Sequence, residues 1–119
     1  MNNAEVSWVF EVNVHPESLA EFATMVIEVS AADQQAEPGS LELGCFINGL
    51  NVHFYEKFQD SAAAAFHLQR FVDNYAARLF SLCTPVSVTV YGNPSEEVRA
   101  ALAGFSPQYL STLGGYTRR

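Results

Sequence analysis

From Val6 to Val14 the residues Val6, Trp8, Phe10, Val12 and Val14 recur at every second position, which predicts a strand with one dry face. Pro16 then supplies a preset first-turn residue, and Leu19, Phe22, Ala23, Val26 and Val29 follow at three- and four-residue steps until Pro38 and Gly39. That spacing predicts an amphipathic helix of about five turns. Leu41, Leu43, Cys45 and Ile47 alternate with Glu42, Gly44, Phe46 and Asn48, and Asn48-Gly49 leads straight into a third alternating run, so the second and third strands should form a hairpin. In that third run Val52, Phe54, Glu56 and Phe58 share one side and His53, Tyr55 and Lys57 the other. Asp60 or Ser61 can cap a second helix with the stripe Ala64, His67, Leu68, Phe71, Val72, Tyr75, Leu79 and Leu82, and Val86, Val88 and Val90 after Pro85 predict a fourth strand ending at Gly92.

The order β-α-β-β-α-β predicts an α+β, ferredoxin-like fold: an antiparallel sheet with both helices on one face and the other face open. Beyond Gly92, Asn93 as cap, Pro94 at the first helical position and Glu96 at the third predict a short helix through Val98 and Leu102 to Gly104. The remainder, from Phe105 to Arg119, is too rich in Gly, Ser and Pro for a regular element, and its Leu and Tyr residues predict an arm packing on the body or on a partner subunit. The expected organisation is therefore a ferredoxin-like domain over residues 1–92 and a C-terminal helix and packing arm over 93–119.

Composition adds one expectation and removes several. Of the 119 residues 49% are hydrophobic and only 16% charged, against roughly 25% charged in an average soluble domain. The open sheet face of such a chain calls for a second copy, and a homodimer is the simplest closed assembly. A net charge of −7 argues against nucleic acid and against anionic membrane as partners. The absence of a spanning apolar run and of a basic leader with a cleavable apolar core points to a cytoplasmic protein. Cys45 and Cys83 lie far apart without ligand spacing, so reduced buried thiols are expected and no metal site.

The chemical interest lies between Glu37 and Gln69, where Glu56 sits among apolar strand neighbours and His67 on the apolar stripe of the second helix. This stretch, EPGSLELGCFINGLNVHFYEKFQDSAAAAFHLQ, resembles the antibiotic biosynthesis monooxygenase family, the quinol monooxygenase-like dimeric α/β barrels. The matching features are Glu37-Pro38-Gly39-Ser40, the Tyr55-Glu56 pair, Asp60 opening the helix and a histidine seven positions later. The resemblance spans residues 6–92 and implies two ferredoxin-like subunits joining their sheets into a barrel, with a pocket in each between sheet and helices. It implies oxidation of a small electron-rich aromatic, of quinol or anthrone type, by O2 without flavin, haem or metal. A haem-degrading branch of the same fold uses an Asn, a Trp and a His. Here His67 stands at the Trp position, the His position falls near Ala77 and the Asn has no counterpart, which disfavours that branch.

Cofactor-free oxygenation needs a base, a dry cavity and groups that hold the substrate anion. His67 is the natural base on this reading and Glu56 orients it. Trp8, Phe10, Phe54 and Phe71 are candidate walls of the substrate site, and Tyr75 a candidate contact for a phenolic oxygen. The architectural alternative makes His67 a hydrogen-bonded core residue and Glu56 a packing anchor satisfied by backbone or by Arg78. His53 falls on the open face, where an interface is expected, and His15 is expected to be solvated. The competing functional reading is a non-oxidative barrel protein, either a small-metabolite isomerase or a ligand-binding protein without chemistry.

Overall fold

A computed structural model describes residues 3–118. The elements run β1 (Val6–Val14), α1 (Leu19–Ala36), β2 (Ser40–Asn48), β3 (Asn51–Phe58), α2 (Ser61–Asn74), α3 (Ala76–Leu82), β4 (Cys83–Tyr91), α4 (Glu96–Leu102) and β5 (Pro107–Leu110). The strands form one sheet in the order β2-β3-β1-β4-β5. Its first four strands pair antiparallel in the ferredoxin-like order, as the alternation of elements predicts. The hairpin closes through Gly49 and Leu50, with Gly49 at φ 63° in the first central position, where a type II′ turn takes glycine.

Four local expectations are corrected. The sheet is mixed rather than purely antiparallel, because residues 107–110, read as irregular arm, pair parallel to β4 as an edge strand. Proline is tolerated at the first residue of such a strand, and Ser106, at φ 54° and ψ 54°, redirects the chain into it. The second helix is broken at Tyr75 into α2 and α3. Val72, Asp73 and Asn74 are weak helix formers, and the Asn74 side chain donates to the Arg70 carbonyl, competing with the helix ladder. Strand β4 starts at Cys83 and not after Pro85, because the missing proline N–H falls beside a register shift between Glu11 and Val12 of β1. Finally, α4 is capped by Ser95, whose Oγ accepts from the Val98 N–H, while the Asn93 side chain accepts from Arg99 instead.

The helices cover one sheet face and divide the core into two clusters. Val6, Trp8, Phe58, Ala64, Val88, Val90, Val98 and Leu102 form one; Val12, Val14, Phe22, Met25, Val52, Leu79, Leu82 and Cys83 form the other. Phe10 packs against both. The small residues at the start of α2 let it lie close to the sheet: Ala64 is fully buried, and a Cβ on Gly39 would stand 2.5 Å from that of Ala63. This close approach lowers His67, one turn further on, onto β3. The other sheet face is open, with Phe46 63% exposed and Tyr91 and Leu110 also accessible. Cys45 and Cys83 are free, the first half-buried and the second buried. No helix among the described residues is long and apolar enough to cross a membrane.

Gly92 leaves β4 at φ 106°, and a Cβ there would stand 2.9 Å from the Glu5 carbonyl oxygen. Gly92→Ala is expected to cost about 1–3 kcal/mol of unfolding free energy in denaturant titration. Gly104→Ala, where a Cβ meets nothing within 4 Å, should stay within about 0.5 kcal/mol of the wild type.

Candidate active site

Strand register places Trp8 directly opposite Glu56 on the helix-covered face, with Leu43 on the far side of Glu56. The Trp8 indole N–H donates to Glu56 Oε2. Glu56 Oε1 faces His67 Nε2 at 3.1 Å, so the strand carboxylate and the helix imidazole are in contact across the layer. His67 is 7% exposed, and its ring lies between two aromatic rings, with centroids 4.9 Å from Phe58 and 6.2 Å from Trp8.

Its other nitrogen reaches the end of α1. His67 Nδ1 donates to Glu37 Oε1 at 2.8 Å and stands 3.7 Å from Asp33 Oδ2. Arg70, one turn along α2, closes the group by donating from Nη1 to Asp33 Oδ1 at 3.1 Å and to Glu37 Oε2 at 3.2 Å. Asp33 and Glu37 sit at the C-terminal end of α1, where the helix dipole disfavours negative charge and no basic residue occupies the last turn. The local cost is offset across the helix pair by Arg70 and His67.

Three carboxyl groups and two cations thus share one buried cluster, and their protonation follows from that count. Burial opposes charge on His67, but the carboxylates of Glu56 and Glu37 outweigh it and hold the imidazolium to a pKa of about 10. Asp33 is pushed up to about 7, first by burial and then by its hydrogen bond to Glu37 and the charge of that carboxylate. Burial also opposes charge on Glu37, yet contact with His67 and Arg70 keeps it below its ordinary value. With a proton on Asp33 the cluster is electrically balanced. Burial raises both thiols to about 11, helped at Cys45 by the charge of Glu56.

The polar cluster opens on an apolar cavity of about 140 Å³. All seven residues named from the sequence as candidates, His67, Glu56, Trp8, Phe10, Phe54, Phe71 and Tyr75, line it. The sequence reading missed Asp33, which also lines it, and gave no role to Glu37 or Arg70. The available signal was the pair of acids four residues apart at an uncompensated helix end, facing His67 and Arg70 three residues apart. Arg78 does not serve Glu56 and pairs with Glu28 on the surface at 2.6 Å. His53 lies 3.9 Å from Glu11 on the open face, and His15 bonds Thr84 at the protein surface.

Asp33, Glu37 and His67 each offer one ligand atom within 4.8 Å of the others, a grouping that could hold a metal ion. A divalent ion would have to displace the His67 proton and the Arg70 guanidinium, which already occupy those lone pairs.

The fold and this buried acid–imidazole cluster define a ferredoxin-like α+β protein with a cavity between sheet and helices. No model of a known protein family matches the sequence, and no curated protein matches it. Solved structures do. That of MupZ from Pseudomonas fluorescens is 25% identical with a TM-score of 0.82, covering 98% of this chain and 96% of that one. SnoaB, a cofactor-independent oxygenase from Streptomyces nogalater, is 20% identical with a TM-score of 0.57, covering 77% and 95%. A Caulobacter crescentus protein provisionally described as an antibiotic biosynthesis monooxygenase is 17% identical with a TM-score of 0.69, covering 79% and 93%. The chain therefore has the fold of the antibiotic biosynthesis monooxygenases, as the resemblance in its sequence implies.

His67 and Asp33 both bind a proton more tightly folded than unfolded. The stability they contribute is present at low pH and lost as pH rises, between 3.8 and about 7 for Asp33 and between 6.5 and about 10 for His67. Glu37 acts oppositely and loses its contribution as pH falls below 4.5, and the two thiols lose theirs only above pH 9.0, so the window from pH 7 to 9 isolates His67. Unfolding free energy should fall there by about 1 kcal/mol per pH unit in the wild type and stay nearly level in His67→Gln, as measured by urea titration. Arg70→Met, which strands Asp33 and Glu37 without their cation, should cost about 3 kcal/mol in the same assay.

Proposed function

We propose that this protein is a cofactor-independent monooxygenase that oxidises a small electron-rich aromatic, of quinol type, with O2. The observation that carries the reading is the His67–Glu56 contact at the polar end of an aromatic-lined cavity. The fold shared with SnoaB, an oxygenase that uses no cofactor, supports it. A cavity of about 140 Å³ suits one ring, since an apolar cavity of about 150 Å³ holds benzene. That favours a quinol over a three-ring anthrone.

The charge state of the cluster supports a division of roles. At neutral pH His67 carries its proton and has no lone pair to offer a substrate. Glu56 therefore takes the substrate proton, aided by lone pairs not used by Trp8 and His67. The imidazolium then stabilises the resulting anion and the superoxide formed when that anion passes an electron to O2. Recombination at a ring carbon and loss of water complete a net change in which a quinol and O2 become a hydroxyquinone and water: one oxygen atom enters a ring C–H bond as a hydroxyl, and the two phenolic hydrogens leave with the other as water. Phe10, Phe54 and Phe71 exclude water from the reacting ring, and Tyr75 contacts a phenolic oxygen.

A second reading is favoured by one feature of the same site. His67, 3.1 Å from Glu56, is a resting acid, and Asp33, protonated up to about pH 7, stands behind it 3.7 Å from its other ring nitrogen. Such a set moves a proton between two atoms of a substrate without oxygen, as an isomerase does. We also propose that two chains pair through the open sheet face, where Phe46, Tyr91 and Leu110 are exposed. Light scattering of the purified protein at micromolar concentration should then report twice the chain mass.

The test of activity is oxygen uptake with a panel of substituted hydroquinones, before and after exhaustive chelation. Turnover should need O2, survive chelation, and fall by about 10²–10⁴ in Glu56→Gln and in His67→Gln. Absence of uptake with every quinol, together with deuterium exchange from D2O into a substrate under nitrogen, would replace the oxygenase by the isomerase.

A further inference from the structure

The cavity is not completed by the βαββαβ unit. Ala101, Leu102 and Phe105, all from the segment after Gly92, form part of its wall. This segment is tied down from Ser95 to Leu110. The Ser95 N–H donates to Ser61 Oγ at the start of α2, and Val98 and Leu102 are buried in the core beside Trp8. Arg99 stacks its guanidinium 4.2 Å over the Tyr109 ring and donates to the Pro94 carbonyl. Past the turn at Ser106, β5 pairs with β4, and the Leu110 carbonyl accepts from the Gly92 N–H at 2.9 Å.

Phe105 stands between these two anchors. Its ring meets Phe10 edge-on at 5.8 Å and Phe80 at 5.7 Å, and Phe80 in turn meets Phe71 edge-on at 5.8 Å. Edge-to-face rings of this kind hold one another in place. Phe105 is half-buried and lines the cavity.

We propose that Phe105 determines the ring size the site admits, and that the C-terminal extension is the specificity element of this protein. The inference rests on the reading of the cavity as the substrate site, but not on the reaction performed there. A phenyl ring removed from the wall frees space on the order of one benzene molecule, the difference between a one-ring and a fused two-ring ligand. Phe105→Ala should therefore admit a naphthalene skeleton, and Phe105→Trp should crowd a single ring.

Trp8, the chain's one tryptophan, is buried in the cavity wall, so its fluorescence reports binding directly. The probes are 1,4-dihydroxybenzene and 1,4-dihydroxynaphthalene, titrated under nitrogen so that neither is oxidised. The wild type should prefer the one-ring diol. Phe105→Ala should shift the ratio of affinities toward the two-ring diol by about tenfold or more, and Phe105→Trp should weaken the one-ring diol by about tenfold. Phe105→Leu, a smaller change, should shift the ratio in the same direction as Ala and serves if the Ala variant does not fold. An unchanged ratio in all the variants, with the wild type still binding, would overturn the role of Phe105 alone. Failure of the wild type to bind either diol would overturn it together with the assignment of the cavity. Binding with the expected shifts but without oxygen uptake would uphold it while removing the oxygenase.

Discussion

The structure turns on keeping an imidazolium charged in a place from which water is nearly excluded. His67 lies under α2 against Trp8 and Phe58, where burial alone would strip its proton. Glu56 from the sheet and Glu37 from the end of α1 reverse that outcome, one at each ring nitrogen. The pairing links three elements, α1, β3 and α2. Each partner also needs its own support: Trp8 donates to Glu56, and Arg70 bridges Glu37 and Asp33. Removing Glu56, Glu37, His67 or Arg70 leaves a buried charge unmatched, which is the costly direction for such networks.

Packing and chemistry are coupled through the same residues. The short side chains at the start of α2 bring that helix down onto the sheet, and without that approach His67 would not reach Glu56. Trp8 is at once a core residue, a wall of the cavity and the donor that orients Glu56. The cavity lies where the two core clusters fail to merge, with Phe10 touching both. An apolar chamber ending in a compact set of charges would suit the anionic intermediate of the proposed reaction, because low polarity strengthens each electrostatic contact and the imidazolium is already in place.

The sequence carried much of this in its periodicities. Alternation in Val6–Val14 and Val52–Phe58 revealed which residues face the helices, so Glu56 stood out as a carboxylate on a dry face and His67 as an imidazole on a dry stripe. The aromatic walls followed from the same patterns. Asp33, Glu37 and Arg70 did not, because acids at a helix end and an arginine on a half-exposed helix read as ordinary surface groups until their neighbours are known. The break at Tyr75 and the strand at Pro107–Leu110 were hidden for a related reason: each depends on a competing or pairing partner rather than on local propensity.

What the sequence by itself determined is the βαββαβ order, the faces of the strands and the two residues of chemical interest, since these follow from side-chain period and turn chemistry along one stretch of chain. Tertiary structure decided the rest. Which groups share a proton, which nitrogen of His67 meets which carboxylate, and that the C-terminal segment walls the cavity are properties of approach between elements tens of residues apart. Electrostatic energy depends on such distances and on burial, and neither is set until the helices are seated on the sheet.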